Sequence, residues 1–276
     1  MATRRNNSRS PWPFLIAVVL IVLFPGLAKD IAGAVGGKVG LPQVEVPSVP
    51  SPSLPSLPAV PSTGPSTVTE VDAASAANAG FKAAGLTALD AITAVESRPF
   101  RAGYDRDCSK GHACQFGPAW TDNTVAPGGK NGCDTRNDML LKSLTNITMR
   151  GTSKCGVQSG DLADPYTGQS IHFEYGGKSE IDLDHVVPLK AVWDFGGADW
   201  TLEKRTAIAN DPMNLFLAQA SANRSKGDKT PAEWMPSNKA FACEYASRYA
   251  GVAAAYGLPM STTDKDSLTL TLNGAC

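Results

Sequence analysis

Hydrophobic and polar positions change their rhythm several times along this chain. Residues 13–28 are uncharged and mostly Leu, Ile, Val, Phe and Ala, and they follow a basic start carrying Arg4, Arg5 and Arg9. That layout predicts an export signal over residues 1–28, with Gly26-Leu27-Ala28 supplying small residues for cleavage. Retained, the same run would anchor the chain in a membrane; it falls slightly short of the roughly 20 apolar residues of a spanning helix, which favours cleavage. Residues 29–67 form a Pro/Ser/Gly-rich linker in which Pro recurs among Ser and Val. Such spacing favours extended polyproline II, a semi-rigid spacer able to hold a domain off a membrane or through a cell wall. Residues 68–98 are Ala-rich, and Leu86, Leu89, Ile92 and Val95 recur at helical spacing. A helix is expected there, weakened at Gly80 and Gly85.

From residue 99 to 276 the pattern is that of a globular domain. Residues 171–175 (IHFEY) alternate as a half-buried strand does, and 181–189 (IDLDHVVPL) is a second strand candidate ending at Pro188. Thr201 caps a short helix reaching Ala209, and 214–219 (NLFLAQ) reads as a further strand. Thr230-Pro231-Ala232-Glu233 is a capping box with Pro at the first helical position, predicting another helix start. Ser237 opens a longer helix ending near Gly257, and a last helix spans about Asp264 to Leu272. Strands mixed with helices in this order predict an α+β domain. Trp193, Trp200 and Trp234 are read as core, and His172 as structural.

Cysteine usage supports export. All six cysteines, at 108, 114, 133, 155, 243 and 276, lie beyond the linker, and an even number behind an export signal reads as disulfides. Connectivity is open; nearness in sequence favours Cys108–Cys114, Cys133–Cys155 and Cys243–Cys276. A zinc site is the rival reading, but no Cys-x-x-Cys pair exists and His112 near Cys108 and Cys114 is a weak lure.

Three segments concentrate chemistry: Asp184-His185-Val186-Val187-Pro188, then Asn210-Asp211-Pro212-Met213-Asn214-Leu215, then Ala222-Asn223-Arg224-Ser225-Lys226-Gly227-Asp228. A histidine titrating near neutrality can take a proton from water, and carboxylate and amide oxygens are hard ligands for a divalent ion. With Phe116-Gly117-Pro118-Ala119-Trp120 and Asn131-Gly132-Cys133-Asp134-Thr135-Arg136 upstream, these segments resemble the HNH, or ββα-metal, endonuclease superfamily. In particular they resemble exported actinobacterial HNH proteins related to the C-terminal domain of GmrSD-type restriction enzymes. The resemblance implies a ββα-metal (HNH) nuclease core with added helices, stapled by disulfides, over residues 99–276. It implies a metal-dependent, largely sequence-nonspecific endonuclease acting on DNA or RNA. His185 is the expected general base. Asp184 and Asn223 are the expected ligands of one divalent ion, Mg2+ or Mn2+, and Asn214 fixes the loop that orients His185. Arg224, Lys226 and Arg136 are expected on phosphates, although Arg136 has Asp134 and Asp138 as rival partners and Lys226, Lys229 and Arg224 could form an ordinary solvated face. The family often carries His where this chain has Asn223. One geometric conflict stands out: neighbours on a regular strand face opposite ways, so Asp184 and His185 share a site only if the strand ends or bulges there. Asp182, on the face of Asp184, is the back-up ligand.

With 25 Lys+Arg against 26 Asp+Glu, net −1, the chain lacks the strong positive charge of many nucleic-acid binders. Attraction must come from a local patch and the metal, which suits weak, sequence-independent binding by a monomer. The expected location is secreted or in the cell envelope. Two alternatives remain open: a non-catalytic envelope binding module on a Pro-rich stalk, and a nuclease toxin delivered to rivals.

Overall fold

The computed structural model describes residues 70–178 and 180–276. The expected signal or anchor (1–28) and linker (29–67) lie outside the described residues. Helix α1 (Glu70–Ala91) leads into β1 (Ala94–Val95), and no further helix or strand occurs until α2 (Thr135–Ser143). Then come β2 (Thr145–Met149), β3 (Val157–Ala163), β4 (Ser170–Glu174), β5 (Ile181–His185), α3 (Leu189–Asp194), α4 (Leu202–Ala209), β6 (Leu215–Gln219) and α5 (Ala220–Lys226). Helix α6 (Ala242–Tyr256), β7 (Met260–Ser261) and α7 (Thr262–Gly274) complete the chain. This is a mixed α+β fold with three disulfides, Cys108–Cys114, Cys133–Cys155 and Cys243–Cys276, the pairing that nearness in sequence favours. Among the described residues no helix is long and apolar enough to cross a membrane.

Strands β2, β3 and β4 form an antiparallel sheet in that order, β1 pairs with β7 in parallel, and β5 pairs with β6 antiparallel. The β5–β6 pair divides two hydrophobic cores, because alternate residues of a strand face opposite ways. Ile181, Leu183, Leu215 and Leu217 face a core shared with Met139 and Leu140 of α2 and Val157 and Leu162 of β3. Phe216 and Ala218 face the larger core, built from α1, α3, α6 and α7.

Several expectations change on contact with tertiary structure. The strand expected over 181–189 stops at His185, because Asn214 replaces the ladder: its carbonyl accepts from Val186 N (2.8 Å) and its side-chain Oδ1 from Val187 N (2.8 Å). Pro188 then precedes α3, a helix the sequence pattern does not announce. Only half of the capping box at Thr230 forms: Thr230 N donates to Glu233 (3.3 Å), but Glu233 N donates to the Thr230 backbone carbonyl (2.9 Å) rather than its side chain, and only one turn follows. Pro236 disfavours helical backbone at Met235, and Trp234 packs edge-on against Tyr166. Asn238, not Ser237, caps the turn that enters α6, while Gly257 ends that helix with φ +68°. Gly85, expected as a weak point of α1, is where helices touch: a Cβ there would lie 2.8 Å from Leu272 and 3.1 Å from the Ser247 backbone.

Irregular backbone between β1 and α2 spans far more than the dozen or so residues of ordinary loops, a length that usually marks function. It is fastened in several places. Arg98 pairs with Asp194 (2.9 Å), Trp193 Nε1 donates to Ala102 O (3.2 Å) and Arg205 Nε donates to Gln115 O (2.6 Å). This segment forms one wall of the site described next.

Candidate active site

His185 ends β5 on the face of Ile181 and Leu183 and is 8% exposed. Its Nε2 lies 2.9 Å from the carbonyl of Ala209, the last residue of α4. A carbonyl can only accept, so Nε2 carries the hydrogen and Nδ1 keeps the lone pair in the neutral ring. Burial holds the imidazole pKa down at about 3, against the Ala209 hydrogen bond and with help from the positive charges of Lys226 and Arg106. The ring is therefore neutral through the physiological range. Trp120 stacks on it, centroids 5.3 Å apart and planes 19° from parallel. Together they line a cavity of about 430 Å³ whose other walls include Arg106, Phe116, Leu189 and Asn210.

Next to this histidine stands Asn214, which is fully buried. Besides accepting from Val187 N, its Nδ2 donates to Ile208 O (3.1 Å) and Val187 O (3.4 Å). One amide thus ties the turn after His185 to the end of α4, where the carbonyl that holds the imidazole resides. Asn210 and Asp211 brace the same corner: Asn210 accepts from Thr135 Oγ1 (3.0 Å), and Asp211 accepts from Met213 N (2.9 Å) and the Tyr256 hydroxyl (2.8 Å).

Asp184 faces the other way. The ladder runs in unbroken register through Asp184↔Phe216 and His185↔Leu215, so strand alternation separates the two residues. Helix α5 covers the Asp184 face. Lys226, fully buried, reaches both carboxylate oxygens (3.0 and 3.2 Å) and the His185 carbonyl (2.7 Å), while the Tyr166 hydroxyl donates to Asp184 (2.5 Å). Burial pushes the Asp184 carboxyl up and the Lys226 ammonium down, each opposed by the charge of the other. Lys226, expected on a phosphate, is therefore shut away from any substrate and held by Asp184. One turn earlier, Asn223 Nδ2 donates to Asp182 (3.2 Å). These residues do not fit a divalent ion as they stand: the oxygens of Asp184 already serve an ammonium and a phenol, and an ion there would be repelled by Lys226. Among the described residues no group of three or more His, Cys, Asp or Glu could hold a metal.

The remaining expected residues are dispersed. Arg224 is exposed on α5. Arg136 lines a different groove, and neither Asp134 nor Asp138 pairs with it: Asp134 caps α2 through Asn137 N (2.8 Å), and Asp138 accepts from Asn131 (3.0 Å). His172 lies exposed on β4 beside Asp161 (2.7 Å), which raises its pKa. Trp193 is buried, and Trp200 and Trp234 pack against the larger core. Sequence reasoning missed Arg106 and Trp120 as site residues. Trp120 belongs to the Phe116–Trp120 block quoted above and has φ +56°, a conformation rare for a bulky side chain. Neither has any periodic relation to His185 that a sequence could display.

A family model for GmrSD restriction endonucleases, C-terminal domain, matches residues 134–269. An "Uncharacterized secreted protein" from Arthroderma benhamiae (strain ATCC MYA-4681 / CBS 112371) is 32% identical over 191 residues, covering 68% of this chain and 84% of the relative. No solved structure matches the chain. The family match includes His185, Asn214 and all of α5 but begins after Arg106 and Trp120.

Proposed function

This chain belongs to the family of GmrSD restriction endonuclease C-terminal domains, and on that premise we propose that it is a phosphodiester hydrolase whose general base is His185. The observation that carries the reading is the imidazole itself. It is neutral, it is pinned through Nε2 to a backbone carbonyl, and it lies in a cavity lined also by Arg106. Free Nδ1 takes the proton of the attacking water. Arg106 neutralises the phosphate, and a positioned proton transfer of this kind is worth about 10²–10⁴ in rate. An arriving phosphate also raises the imidazole pKa by its negative charge, making the ring a better base when substrate is bound. Asn214 acts as a positioning residue through Val187 and the end of α4.

The antiparallel pair β5–β6 followed directly by α5 supports a ββα-metal core for this reading. HNH endonucleases generally use a divalent metal ion, but the carboxylate of Asp184, engaged by Lys226 and Tyr166, does not fit one here, and no step is assigned to it. What this chain's residues do without one is bind, aim and hold the proton. The nucleic-acid substrate follows from the family, with DNA proposed first. Three disulfides and a relative described as secreted fit a place outside the cytoplasm, either secreted or in the envelope. The test is nicking of supercoiled plasmid by wild-type protein and by His185→Ala, with circular dichroism confirming that both are folded, in magnesium, in manganese and in EDTA. Nicking by wild type and its loss in the variant is expected. A folded variant that nicks at the wild-type rate overturns the assignment.

A further inference from the structure

Behind Trp120 the surface carries a second groove, of about 370 Å³, on the side away from the larger core. We propose that this groove is a flanking-strand subsite that binds a backbone phosphate of the nucleic acid next to the scissile bond, through Arg136 and Arg150. The proposal rests on the nuclease reading above and deepens it.

Three observations support it. First, both guanidiniums lack a carboxylate partner among the described residues, although each is half-buried and carboxylates stand nearby. Those carboxylates are engaged elsewhere: Asp134 caps α2, Glu174 accepts from Gln158 (2.7 Å) and faces His172 (3.8 Å), and Glu180 faces Lys178 (3.9 Å). Arg136 also sits in the first turn of α2, where the helix dipole disfavours a cation, so helix stability does not account for it. Second, Arg150 is held in place. Its guanidinium lies 4.1 Å from the ring centroid of Tyr175, itself 54% exposed, which fixes the planar fork that suits a phosphate. Third, Trp120 is a wall of both this groove and the His185 cavity. A strand with its scissile phosphate beside His185 and Arg106 crosses the Trp120 edge and brings its neighbouring phosphate to the two arginines. Backbone contacts of this kind position a strand without reading its sequence.

The experiment is oligonucleotide binding by fluorescence anisotropy over a range of salt, with a plasmid-nicking assay alongside. The proteins are wild type, Arg136→Ala/Arg150→Ala, and Lys142→Ala/Lys239→Ala, which removes the same charge from exposed positions outside the groove. The arginine double variant should bind at least about tenfold more weakly, and the slope of log affinity against log salt should shrink by about 1 for each arginine removed. The lysine double variant should keep the wild-type slope. Equal affinity and slope in wild type and the arginine variant overturns the subsite, as does a wild type that binds no oligonucleotide. If wild type binds but does not nick, the nuclease reading fails while the binding arm still decides the subsite.

Discussion

A histidine works as a base only when its ring is neutral with one nitrogen free, and at His185 neighbouring groups set both conditions. Burial has a consequence for stability. The unfolded imidazole titrates near 6.5 and the folded one near 3, so between those values the unfolded chain binds the proton and the folded one does not. Stability from this group is full above about pH 6.5 and drains as pH falls toward 3, by about 1 kcal/mol per pH unit within that window. Wild type should therefore lose more stability between about pH 7 and pH 5 than His185→Gln does, read from urea midpoints. The ion pair on the opposite face makes a different demand. Lys226→Met leaves a buried carboxylate with only a phenol, a loss of about 3–5 kcal/mol, and adding Asp184→Leu should recover most of it. Chemical unfolding of the two single variants and the double variant checks this; additive losses would mean that the pair is not coupled. The core also contains an orphan. Tyr245 Oη is buried without a hydrogen-bond partner among the described residues, so Tyr245→Phe should leave the melting temperature unchanged or raise it.

Elements were legible where local chemistry settles them and obscure where a distant residue does. Thr201 caps α4 and Gly257 ends α6 as the sequence implies, because caps and left-handed turns depend on a few adjacent residues. The end of β5 depends instead on Asn214, and no local pattern shows that an amide 29 residues away replaces the ladder after His185. Periodicity did expose the conflict between Asp184 and His185. The structure keeps the strand regular, so Asp184 meets α5 rather than the cavity. The motif residues were therefore readable as a set and their opposite faces on a regular strand were visible, but that the strand stays regular through His185 was not, and Arg106 and Trp120 came from irregular backbone with no pattern to read. Asn214→Ala should test the hinge between these elements. It strands Val187 N and Ile208 O in the core, at about 1–3 kcal/mol per unsatisfied group, and unties the turn after His185 from the end of α4, whose Ala209 carbonyl holds the imidazole. A nicking rate that falls while the protein stays folded, with the His185 proton resonances shifted, is the expected result; an unchanged rate would confine Asn214 to a structural role.

At the scale of the whole molecule, disulfides fasten what secondary structure leaves loose. Cys133–Cys155 ties the start of α2 to the β2–β3 turn, and Cys243–Cys276 ties the chain end to α6. Each should contribute about 2–5 kcal/mol, so a reductant should lower the melting temperature by many degrees; recovery of six free thiols from exported protein would contradict both the staples and the proposed location. The long segment between β1 and α2 joins the site only as part of this assembled molecule, since Trp120 meets His185 across 65 residues of sequence. The central claim is that this assembly keeps His185 neutral and aimed as a base. The pH dependence of kcat/KM for plasmid nicking, compared between wild type and His185→Gln, tests it most directly, because that parameter reports the free enzyme. Wild type should hold its rate from about pH 8 to about pH 5 without a step near 6.5, and the folded variant should be about 10²–10⁴-fold slower throughout. A wild-type rate that falls through pH 6.5, or a folded variant as fast as wild type, would contradict it.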